Sequence, residues 1–202
     1  MDTKAMIGAV VAVIAIMLLI FSLGTPWYNF TSEAPSDDGE VETSMDFHLK
    51  EMEVTVDGES HTYDYNEEGL NEVGSTFSTT ELFIMVAIVG SILGLLGSIL
   101  VGIGKLNPKI GAGLAVIGIL FAFLAPIYLW LDLPDAFEED MDWDEVGPNR
   151  GPLYFAGGGS VGQEERTWGP RMGWILPLIV GILDIVVLRL TLASNTSYSK
   201  TP

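Results

Sequence analysis

Four apolar runs, at residues 5–24, 82–104, 110–131 and 173–193, each have about the 20 residues that a helix needs to cross hydrocarbon. The first three carry no charge, and the fourth holds only Asp184 and Arg189. Lipid offers no partner for backbone amides, so runs of this kind must be helical. The expected fold class is an integral membrane α-helical protein with a four-helix transmembrane bundle. The first run is longer than the apolar part of a secretory signal and no A-x-A-like site follows it, so it reads as a retained span.

The formal charge of −18 is concentrated in two segments. Residues 25–80 hold 14 acids against Lys50 alone, and residues 132–172 hold 10 acids against Arg150, Arg166 and Arg171. Lys4, Lys105, Lys109, Arg189 and Lys200 sit at the opposite helix ends. The positive-inside rule then gives a cell-membrane protein with cytoplasmic termini and two extracellular loops. The expected segments are spans at 5–24, 81–104, 110–131 and 173–193, acidic outer loops at 25–80 and 132–172, a cytoplasmic turn at 105–109 and a cytoplasmic tail at 194–202. Such acidity argues against nucleic acid and anionic lipid surfaces as partners. The chain has no cysteine, which removes disulfides, thiolate metal sites and a cysteine nucleophile.

Small residues recur three and four apart along the spans: Gly8, Ala12 and Ala15; Ser91, Gly94 and Ser98; Gly111, Ala115, Gly118 and Ala122. Such stripes let helix backbones approach closely, the main source of helix attraction in lipid. They read as packing faces rather than a pore lining, since few polar groups accompany them. Trp27, Trp130 and Trp174 lie near the outer helix ends and suit an interfacial aromatic belt. Pro26 and Pro134 are expected to end their helices, and Pro177 to bend the fourth.

The first loop has strand character. Phe47 and Leu49, then Met52, Val54 and Val56, alternate with polar residues, with a change of phase near Lys50 that reads as a bulge. Asp57-Gly58 signals a hairpin, with residues 62–65 returning and residues 27–32 as a further strand. The acidic stretch 33–42 reads as mobile. In the second loop, residues 152–156 form the expected strand, followed by a flexible Gly157-Gly158-Gly159-Ser160. The whole is a small extracellular antiparallel β-sheet formed mainly by the first outer loop.

Four spans, internal termini, a larger first loop that opens on Thr25-Pro26-Trp27, and a sheet shared by both loops resemble the claudin and peripheral-myelin-protein superfamily. The resemblance covers the chain in topology and implies a claudin-like fold. The family's Gly-Leu-Trp and cysteine pair are not matched: Gly69-Leu70 precedes Asn71, and cysteine is absent. A tight-junction role is therefore not implied.

Asp184 stands near mid-membrane, where an ionisable group is costly and often functional. It reads as a cation or proton site or as a polar lock, with Arg189 five positions on. Asp140, Asp142 and Asp144 offer oxygen ligands for Ca²⁺ or another cation, though Gly151 stands where an EF-hand needs Glu. The alternative is a solvated acidic loop. Asn29-Phe30-Thr31 is an N-glycosylation pattern. His48 and His61 fall on the expected strands, and no catalytic constellation emerges. The expectation is a non-enzymatic membrane protein, lodged in the lipid bilayer, that assembles with itself or with other membrane or extracellular proteins. The alternative is a small cation or proton transporter or channel that uses Asp184.

Overall fold

The computed structural model describes residues 2–36, 39–140, 155–161 and 163–194. Among them are four long helices, α1 (Thr3–Leu23), α2 (Asn71–Gly102), α3 (Pro108–Asp140) and α4 (Met172–Leu192), each long and apolar enough to span a membrane. Six strands form one antiparallel sheet: β1 (Tyr28–Ser36), β2 (Gly39–Phe47), β3 (Glu51–Val56), β4 (Glu59–Asp64), β5 (Gly157–Val161) and β6 (Glu164–Pro170). The strand order is β4-β3-β2-β1-β6-β5. The chain is thus a multi-pass membrane protein with an apolar four-helix bundle and a sheet that lies mostly between α1 and α2. It divides into a helical unit (1–21, 82–126 and 176–202) and a sheet unit (22–81 and 127–175).

In the helical unit, the buried positions follow a heptad spacing. On α1 they include Ala5, Gly8, Ala12, Ala15 and Leu19; on α2, Ile84, Ala87, Ser91, Gly94, Ser98 and Val101. Spacings of three and four keep one face of a slightly underwound helix on its neighbours, the geometry of a left-handed bundle. α2 and α3 run antiparallel through small residues. A Cβ on Gly90 would stand 2.6 Å from the Gly118 Cα, and one on Gly97 would stand 2.6 Å from the Gly111 carbonyl oxygen. Nothing larger fits there. The expected packing residues Gly8, Ala12, Ala15, Ser91, Gly94, Ser98, Gly111, Ala115, Gly118 and Ala122 are all buried.

Local chemistry fixes the helix ends of this unit. Asp2 caps α1 by accepting from the Lys4 and Ala5 amides at 2.9 and 3.2 Å. Gly104, with φ of 73°, takes the left-handed conformation that closes α2. The Asn107 side chain accepts from the Lys109 amide at 2.9 Å, with Pro108 as the first residue of α3.

In the sheet unit, β1 to β4 form a meander, and the β5–β6 hairpin joins it through β1, where Tyr28 to Glu33 face Pro170 to Glu165. The Asp57-Gly58 turn has φ of 50° and 82°, the two positive values of a type I′ hairpin. Three expectations are corrected. Most of the acidic stretch 33–42 is ladder, because Glu33 pairs with Glu42 and Ser36 with Gly39. The phase change at Lys50 is not a bulge but the connection between β2 and β3, closed by the His48 amide on the Glu51 carbonyl at 2.9 Å. In the second loop, the glycine run is itself β5, and residues 152–154 lie outside the described residues.

The helices also outrun their apolar runs. α2 begins at Asn71, and α3 passes through Pro134 to Asp140, so Pro134 does not end it. Burial of Leu133, Ala136 and Phe137 holds this last part of α3 despite the amide that proline lacks. Phe137 packs on Phe47 and Tyr28 with ring centroids 5.3 and 5.8 Å apart, and Phe47, Tyr65 and Phe77 stack nearly parallel. α4 continues through Pro177.

Candidate functional site

The fourth apolar run places Asp184 twelve residues into α4, roughly 18 Å along it at about 1.5 Å per residue. Its side chain is 1% exposed. The Ser91 hydroxyl on α2 donates to Asp184 Oδ2 at 2.8 Å, while Oδ1 has no hydrogen-bond partner among the described residues. One heptad further, Ser98 on α2 and Thr191 on α4 share a hydrogen bond of 2.8 Å, both fully buried. Both pairs have the same sequence separation of 93, so α2 and α4 run parallel and in register across this seam.

Each polar pair is covered by a glycine from another helix. A Cβ on Gly118 of α3 would lie 2.6 Å from Asp184 Oδ2 and 3.0 Å from Ser91 Oγ. A Cβ on Gly8 of α1 would lie 3.5 Å from both Ser98 Oγ and Thr191 Oγ1. The small-residue stripes thus have a second use: they bring four helices together around two polar pairs. Arg189 is exposed and forms no ion pair with Asp184, since five helical positions carry it to another face. The sequence singled out Ser91 and Ser98 only as packing residues and missed Thr191. The seven-residue spacing shared by Ser91 and Ser98 and by Asp184 and Thr191 is the signal that links them.

The sheet unit holds its own polar anchors. Asp132 accepts from Thr76 at 2.9 Å and from Tyr128 at 2.7 Å. Asp140, expected as a cation ligand, accepts from the Val73 amide at 2.7 Å and so caps α2. Its carboxylate there faces the positive end of the helix dipole. Asp142 and Asp144 lie outside the described residues, among which no cluster of three metal-ligating side chains occurs. His48 follows β2, and His61 is on β4, its ring 6.5 Å from that of Tyr63.

Trp27, expected as an interfacial anchor, is fully buried, with its indole N–H donating to the Ser22 carbonyl at 2.9 Å. Gly173 makes room for it, because a Cβ there would stand 2.7 Å from the indole nitrogen. Trp130 is 53% exposed, and Trp174 is half-buried against Phe155. Asn29, the glycosylation candidate, is buried in β1, and its amide nitrogen donates to Ser44 Oγ, the Met45 carbonyl and Asp46 Oδ1 at 2.9 to 3.3 Å. In the folded chain that nitrogen is already engaged by the β1–β2 ladder.

Electrostatics at the join of the two loops are set by Glu164. It accepts from Nε and Nη2 of Arg166, each at 2.8 Å, and also from Ser32 on β1. Arg166 first, then Ser32, hold its carboxyl below the usual range. Burial pushes the Tyr28 and Tyr65 phenols up, and Glu51 adds to the effect at Tyr65. The Tyr28 hydroxyl is buried among aromatic rings, without a hydrogen-bond partner among the described residues. No protein-family model matches this chain, and no curated protein matches it.

Proposed function

We propose that the chain is a non-enzymatic, claudin-like membrane protein whose acidic sheet faces outward and mediates assembly, with copies of itself or as an accessory subunit of a larger complex. The observation that carries this reading is the pair of outermost strands. β4 and β5 have no strand on their outer sides among the described residues, and both are largely exposed. Unpaired strand edges recruit other chains by extending the sheet.

The absence of native cysteine makes the test direct. Single cysteines at Thr62 on β4 and Gly159 on β5 are expected to cross-link to a second chain in native membranes, whereas one at exposed Glu67 is not. Monomers at both edge positions would contradict the proposal. The second reading is cation or proton passage, and the observation favouring it is the unpartnered Oδ1 of Asp184. Under that reading Asp184→Asn abolishes flux through reconstituted vesicles; under the first it leaves cross-linking intact.

A further inference from the structure

The sheet unit contains a cleft of about 380 Å³ lined by Lys50, Asp64, Asn71, Ser75, Ser78 and Glu81, among others. Its floor is one face of α2, where Asn71, Ser75 and Ser78 are exposed. Lys50 is the only cation in residues 25–80, and its ammonium lies 3.1 Å from Glu81 Oε1. Lys50 is 74% exposed and Glu81 20%, so the pair presents both charges to an incoming group.

The position of this cleft narrows what can fill it. Glu81 immediately precedes the apolar run that begins at Leu82. The α2 face itself continues from Ser75 and Ser78 through Leu82, Met85, Val89, Ile92 and Leu96 at spacings of three and four, and these large apolar side chains are all exposed. A polar cleft that passes into an exposed apolar stripe on one helix face matches a lipid, head and then tail. An anionic headgroup would meet the acidic surroundings, whereas a zwitterion brings its own cation.

We propose that this cleft binds the headgroup of a zwitterionic phospholipid bearing a primary amine. The phosphate is held by Lys50 with the Ser75 and Ser78 hydroxyls, and the ammonium by Glu81 and Asp64. A primary ammonium donates hydrogen bonds to both carboxylates, which a choline cannot do, and such charge-assisted bonds are the stronger kind.

The test is native mass spectrometry of the full chain released from vesicles of equal parts phosphatidylethanolamine, phosphatidylcholine and phosphatidylglycerol. Retained phosphatidylethanolamine is expected to exceed the other two. Lys50→Met, Glu81→Gln and the cleft-filling Ser78→Trp should each lower its retention roughly tenfold, the effect of losing a hydrogen bond to a charged group. Lys50 is exposed, so Lys50→Met decides the matter even where Ser78→Trp does not fold. Equal retention of the three lipids, enrichment of phosphatidylglycerol, or enrichment that Lys50→Met leaves unchanged would each overturn the proposal.

Discussion

Gly118 lies directly beneath the Asp184 carboxylate, where even a methyl group would stand 2.6 Å from Oδ2. That relationship joins the two properties of the helical unit, close backbone approach and a buried polar seam, at one position. Helices that lack a hydrophobic drive to associate depend on both.

Gly118→Ala is therefore expected to destabilise the bundle by about 1–3 kcal/mol, the usual result of overfilling a packed interior. Thermal unfolding in detergent measures it. Gly113→Ala is the control, since nothing lies within 4 Å of a Cβ at that position. Equal effects at the two positions would refute the close approach.

Ser91→Ala removes its hydrogen bond to Asp184 and is expected to cost on the order of 1 kcal/mol, in line with interhelical polar pairs in membranes. Asp184→Asn keeps an acceptor for Ser91 and should cost less. A double-mutant cycle with Asp184→Ala isolates the pair, and a coupling near zero would show that the seam does not stabilise the fold.

Trp27→Ala is expected to lose about 3–5 kcal/mol, as for other fully buried large aromatics. Trp130→Ala should leave stability in detergent nearly unchanged, because that ring is half-exposed. Tryptophan quenching by brominated lipid separates the roles: Trp130 should be quenched and Trp27 protected.

The Glu164 carboxyl is held below its ordinary range in the folded chain. A group depressed in this way contributes stability above its unfolded value, about 4.3 for glutamate, and loses that contribution as pH falls through the folded value. Wild type should therefore be more stable than Glu164→Gln at neutral pH, with the gap closing in acid. A gap that does not change with pH would remove the ion pair from the account, and the 28% exposure of Glu164 keeps the expected effect modest.

Much of the helical unit was legible in the sequence, because a span needs an apolar run and lipid leaves the backbone no other structure. The helix extensions were not read, although their signal was present. On α2, buried Val73, Phe77 and Thr80 continue upstream the spacing of Ile84 and Ala87, and on α3 buried Leu133, Ala136 and Phe137 continue past the apolar run. Polar residues between them and Pro134 masked the pattern. The burial of Trp27 was not legible, because nearness to a helix end along the chain does not reveal whether the fold covers a ring. The glycine strand β5 was hidden for another reason: its place in the sheet comes from pairing with β6, not from its own propensity.

Imaging the full chain in native membranes by electron cryotomography tests assembly through the sheet most directly. The account predicts regular neighbours that contact the chain along β4 or β5, lost when those edges carry proline. Isolated chains with both edges bare, together with cation flux that Asp184→Asn abolishes, would contradict it.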